Sequence, residues 1–114
     1  MRRLVLIGLI TLLALVSTGA WGYTVRGAGG KSCGKYVSEK QEGSVLHSIS
    51  LNWVLGFITG VNVTQEVAGR RANLGASFDT ESIELWLENY CRANPLEDLV
   101  TATIDLSLEL MKKE

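Results

Sequence analysis

Two cysteines and one histidine are the residues of this 114-residue chain whose types most readily do chemistry. Cys33 and Cys91 form no C-x-x-C, and neither has a local His or Lys arrangement that would lower a thiol pKa toward a nucleophile. In an exported domain, two cysteines most simply make one structural disulfide, here Cys33 to Cys91. Zinc is disfavoured, because two Cys and one His at these spacings do not supply four ligands. His47 is the sole histidine, so a Ser-His-Asp triad has nothing beyond arithmetic in its favour. It is expected to be exposed or half-buried near the start of a helix, where its titration can contribute to a pH response. Glu81, Glu84 and Glu88 lie on one helix face, but paired acids need a cleft for glycosidase work, and such a stripe reads as a solvated face. Asn62-Val63-Thr64 is a glycosylation sequon on an expected helix, relevant only in a eukaryotic secretory route. No phosphate-binding glycine loop and no cofactor motif is present, so the expectation is no enzyme, no cofactor and no metal.

The elements that carry these residues begin with a secretory signal. "MRRLVLIGLITLLALVSTGAWG" has two arginines, an uncharged run over residues 4–16, then small residues at Ser17, Gly19, Ala20 and Gly22. That is the order of a cleaved signal peptide over residues 1–22. Cleavage after Ala20 also fits, and a retained anchor is the competing reading, because residues 4–20 nearly span a bilayer. From Tyr23 on, 9 Lys/Arg (11 less Arg2 and Arg3) stand against 12 Asp/Glu, a net charge of −3. Nucleic-acid binders carry a basic patch, whereas Arg70-Arg71 is the one basic doublet before Lys112-Lys113. No nucleic-acid partner is expected, nor a membrane partner once the signal is cleaved. A domain of this size is marginal on core burial alone.

"YTVRGAGGK", residues 23–31, is glycine-rich without helical period and reads as an extended, flexible arm. The remainder, residues 32–114, reads as one helical domain. Ser32 caps a short helix, "CGKYVSEKQ", which ends at Gly43-Ser44. The second helix shows a stripe of Leu46, Ile49, Trp53, Phe57 and Val61, thickened by Val54 and Ile58. Gly56 and Gly60 each weaken that helix by roughly 1 kcal/mol relative to alanine, and close approach of a neighbouring backbone is the expected compensation. Residues 68–79 read as a loop. Asp79 or Thr80 caps a third helix, whose Ile83, Trp86, Leu87, Tyr90 and Cys91 follow the spacing of one buried face. Asn94, Pro95 and Glu97 then read as N-cap, first helical position and capping-box partner of a fourth helix. Its inner stripe is expected to carry Leu96, Leu99, Val100, Thr103, Leu106 and Leu110. The fold class is therefore all-α: a small bundle of about four helices closed by one disulfide.

A "SC" just past the arm, "WVLGFITG" in the second helix and "YCRANPLEDLVTA" at the last joint resemble the HdeA/HdeB family. The resemblance covers residues 32 to about 106. It implies a small periplasmic helical protein with a Cys33–Cys91 disulfide, and Trp53, Gly56, Phe57 and Gly60 as its core helix. The family's best-known members are dimers at neutral pH that dissociate in acid, loosen and hold unfolding proteins on exposed apolar surface. The glycine-rich arm and the loop "AGRRANLGASFD" depart from those members. A second reading, from a different class, is an immunity or inhibitor protein with one dedicated partner, although such helical proteins usually carry further cysteines. Protein partners are expected on either reading. For a homodimer the expected surface is Trp53 and Phe57 with Leu51, Val54 and Ile58.

Overall fold

The computed structural model describes residues 22–114; the segment read as a signal peptide lies outside the described residues except for Gly22. Four α-helices follow one another: α1 (Cys33–Gln41), α2 (Val45–Val67), α3 (Thr80–Ala93) and α4 (Leu99–Lys113). Among the described residues the one β-type pairing is an isolated antiparallel bridge between Ser32 and Asp98. The protein is all-helical, as its periodicity implies.

Three helix starts follow local chemistry. The side chains of Ser32, Ser44 and Asp79 each accept a hydrogen bond from a backbone N–H of the first turn, satisfying donors that a helix otherwise leaves orphaned. The core gathers where the helices meet: Tyr36 from α1, Val54 and Ile58 from α2, Ile83 and Leu87 from α3, and Leu99, Leu106 and Leu110 from α4. The Cys33–Cys91 disulfide joins the first residue of α1 to the last turn of α3, with both cysteines fully buried and their Cα atoms 4.7 Å apart.

The last joint differs from its sequence reading. Asn94 does not begin a helix; it is the C-cap of α3, and its side-chain amide donates to the Tyr90 carbonyl at 2.9 Å. Pro95 and Leu96 form a turn, and Leu96 is 97% exposed rather than on an inner stripe. The N-cap of α4 is Asp98, whose carboxylate accepts from Thr101 N–H at 2.9 Å. Glu97 therefore completes no capping box. The reason is tertiary. Cys33 N–H donates to the Glu97 carbonyl, Gly34 N–H to the Pro95 carbonyl and Leu99 N–H to the Lys31 carbonyl, at 2.8, 3.0 and 2.8 Å. Those bonds satisfy the backbone of 94–98 outside a helix, beside the disulfide.

The arm also differs. Residues 27–30 close a 3-10 turn, and Trp53 Nε1–H on α2 donates to the Arg26 carbonyl at 2.7 Å. Gly29 is buried directly against the Trp53 ring, where any Cβ would collide with it. The glycines that look like flexibility in the sequence instead let the backbone lie flat on an indole.

Candidate functional site: a titratable joint and an uncharged helix face

Two features stand out once the fold is in place, and both centre on α2. Its inward side is unexpectedly polar. The buried residues of α2 are His47, Ser50, Val54 and Ile58, whereas Leu46 and Ile49, expected on the inner stripe, are 47% and 54% exposed. The helix is rotated from the orientation that hydrophobicity alone implies because its polar residues have partners inside.

His47 is one of them. Its Nε2 lies 2.7 Å from Glu84 Oε1 on α3, and its Nδ1 lies 3.3 Å from the Tyr36 carbonyl on α1. Both ring nitrogens thus face oxygen atoms of neighbouring helices. The ring packs on Tyr36 with centroids 4.5 Å apart. Lys40 on α1 reaches the same Glu84 oxygen at 2.9 Å and Glu88 at 3.0 Å, while Arg92 holds the other Glu88 oxygen at 2.6 Å. Glu84 and Glu88, read from the sequence as a solvated stripe, instead tie α3 to α1 and α2; Glu81 is the exposed member of the three. Hydrogen bonding from Lys40, helped by His47, holds the Glu84 carboxyl below the usual range. Arg92 and then Lys40 do the same for Glu88. The same contacts, with Glu84 first, raise the Lys40 ammonium. Burial, with the two carboxylates adding, pushes the Tyr36 hydroxyl upward, and that hydroxyl is buried without a hydrogen-bond partner.

A second buried pair went unread in the sequence. Lys31 Nζ sits 2.6 Å from Glu39 Oε2 and 2.6 Å from Ser50 Oγ, with Glu39 1% exposed. A Lys and a Glu eight residues apart give no sequence signal, because the pairing depends on the arm folding back.

The outward side of α2 is the reverse. Residues 43–65 contain no Lys, Arg, Asp or Glu. Val45, Ile49, Val63 and Val67 are 71, 54, 56 and 84% exposed. Gly56 and Gly60 lie on this face with nothing within 4 Å of where a Cβ would stand. Among the described residues no neighbouring backbone approaches them, so the expected compensation for two helix-weakening glycines is not found there. Trp53 and Phe57 are half-buried at the edge of the face, their rings 5.8 Å apart. Val54 and Ile58 belong to the chain's own core and cannot form a dimer surface.

The other expected site residues divide similarly. Trp86 and Tyr90 stack on α3 at 5.3 Å, half-buried, and Tyr90 donates to Asp105 Oδ2 at 2.7 Å. That bond, to a carboxylate, moves the Tyr90 pKa up to about 12. Trp86 lines a cleft of about 230 Å3 between α3 and α4 with Phe78, Ile83, Leu106 and Leu110, rimmed by Glu109 and Lys113. The Asn62 amide is engaged: it accepts from Leu74 N–H at 2.8 Å and donates to the Leu74 carbonyl at 3.1 Å. It anchors the 68–79 loop, which leaves the sequon's asparagine unavailable in the folded protein.

No family model, curated protein or solved structure matches the chain.

Proposed function

We propose that the protein is an exported, periplasmic HdeA/HdeB-like protein that holds unfolding proteins in acid. The observation that carries this reading is the joint at Glu84 and Glu88. Three helices are tied there by two carboxylates that acid neutralises, beside a disulfide that acid leaves intact. Protonating Glu84 and Glu88 removes the negative charges that face Lys40, His47 and Arg92 together. The helices behind them carry Tyr36, Val54, Ile58 and Leu87, apolar surface for capturing a client. Net charge moves the same way: with all carboxylates neutral, nine Lys/Arg and His47 leave the chain from Tyr23 on near +10, a self-repulsion that loosens compact states. The family resemblance rests on the quoted motifs alone.

Light scattering of an acid-labile enzyme shifted to pH 2–3, with and without the protein, tests the proposal. Suppressed aggregation at pH 2–3 and none at pH 7 is the expected result. No protection in acid with the disulfide intact refutes it.

The second reading, a protein that binds one dedicated toxin or enzyme, draws on the α3–α4 cleft. That cleft is preformed in the folded state, apolar inside and charged at its rim, which suits a side chain of a folded partner. A toxin gene beside this one, whose product the protein neutralises at pH 7, would favour it over the holdase.

A further inference from the structure

The glycine-rich arm does more than cover an indole. Gly27 turns at a φ of 74° and Gly29 seats the backbone against the Trp53 ring. Trp53 Nε1–H holds the Arg26 carbonyl, and Lys31 pins the root of the arm to Glu39 and Ser50. The chain fixed in this way, from Tyr23 to Arg26, walls a groove of about 350 Å3 whose other walls are Trp53 and Phe57 on α2 and Val100 and Ile104 on α4. No acidic residue lines the groove, and Arg26 is its one charged residue. The Arg26 side chain is exposed, and among the described residues its guanidinium pairs with no carboxylate.

From this arrangement we infer that the groove binds a single-chain anionic amphiphile, a medium-chain fatty carboxylate. The hydrocarbon tail lies between the α2 and α4 side chains, and the carboxylate meets Arg26. Apolar walls with one convergent charged group are how small-molecule sites combine affinity with orientation. The tail gains by leaving water. The planar guanidinium matches a carboxylate through two parallel hydrogen bonds, and no acid in the groove competes for it. The volume is near the lower end for small-molecule pockets, which suits one chain and not a two-chain phospholipid. The cleft between α3 and α4 lacks this complementarity, because its Lys113 already faces Glu109 at 3.6 Å. Since the arm is one wall of the groove, ligand and seated arm must favour each other reciprocally. This inference stands apart from the holdase proposal, because its test is made at pH 7 without any client.

Calorimetric titration of the purified, disulfide-bonded protein at pH 7, below micelle-forming concentrations, is expected to show one decanoate bound per chain. Decanoate should bind about tenfold more tightly than decyltrimethylammonium, since Arg26 attracts one head and repels the other. Octanoate, two methylenes shorter, should bind about tenfold more weakly than decanoate. Arg26→Gln keeps the carbonyl that Trp53 holds and should abolish the preference for the anionic head, with unchanged far-UV circular dichroism. Gly29→Ala forces the arm off the indole and should weaken decanoate about tenfold, while trypsin cuts after Arg26 faster than in the parent. In the parent, decanoate should slow that cut. Absence of saturable decanoate binding overturns the inference. So does an affinity blind to the head group, a preference that survives Arg26→Gln, or an arm that decanoate does not protect. Binding to phosphatidylcholine–phosphatidylglycerol vesicles without binding of monomeric decanoate would assign the groove to a membrane surface and equally overturn it.

Discussion

Glu84 shows how much can depend on a single oxygen. Its Oε1 receives both Lys40 and His47, so one carboxylate serves three helices. Its folded pKa is depressed, so its stabilisation is present above the ordinary glutamate range and is lost as pH falls through the folded value. Glu88 behaves alike. Lys40 has the opposite sign: raised in the fold, its contribution is present below the ordinary lysine range and lost as pH climbs through the folded value. All three contributions are complete between about pH 5 and pH 9. Glu84→Gln should therefore lower stability by about 1 kcal/mol at pH 7, a figure limited by solvent screening at the partly exposed Lys40. The gap to the parent should narrow as pH falls from 7 toward about 2.5 and the Glu84 carboxylate takes up its proton. Urea denaturation at the two pH values measures this; an unchanged gap would show that Glu84 acts by shape rather than by charge. Little of this joint was legible beforehand. His47, Glu84 and Lys40 belong to three helices, and no local spacing reports which helix faces another.

At the scale of elements, the helices were legible and one joint was not. Ser32, Ser44 and Asp79 act through bonds to residues two or three ahead, so the sequence contains everything those starts need. Two capping patterns compete at the last joint: Asn94 with Glu97, and Asp98 with Thr101. Local chemistry favours the first through Pro95. The winner is set by residues far earlier in the chain, because the 31–34 segment bonds the backbone at Pro95, Glu97 and Leu99. The two assignments make opposite forecasts. With Asp98 as the cap, Asp98→Ala should cost about 1 kcal/mol. Pro95→Ala should change stability by no more than about 0.5 kcal/mol, because its carbonyl bond to Gly34 N–H survives and the position is exposed. Thermal unfolding of both variants decides between them. The orientation of α2 was missed for a related reason: buried Ser50 and His47 are stable only with Lys31 and Glu84 as partners, and hydrophobic periodicity counts neither.

For the whole molecule, the disulfide and the charge balance act on opposite sides of one equilibrium. The Cys33–Cys91 link spans 58 residues, and closing a loop of that length in the unfolded chain is worth about 4 kcal/mol in the entropy model. That is comparable with the entire stability of many small domains, about 5 kcal/mol at the low end. In acid the same chain gains repulsion and loses the carboxylate ties of α1, α2 and α3. The disulfide does not restore those ties, but it keeps the start of α1 beside the end of α3 while the packing between them loosens. The oxidised protein at pH 2 should therefore keep most of its far-UV helical signal and lose its near-UV tryptophan signal, and it should bind an apolar dye, the signature of a compact loosened state. Trp53 and Trp86 report this directly, since both are held half-buried against named neighbours at neutral pH. The doubly substituted C33S/C91S protein should lose far-UV and near-UV signals together at pH 2. At pH 7 it should unfold at a urea midpoint well below that of the parent. If oxidised and cysteine-free proteins reached the same acid state, the tether would have no part in shaping it. The acid response would then follow from charge repulsion alone, which any small protein with as many basic side chains would share.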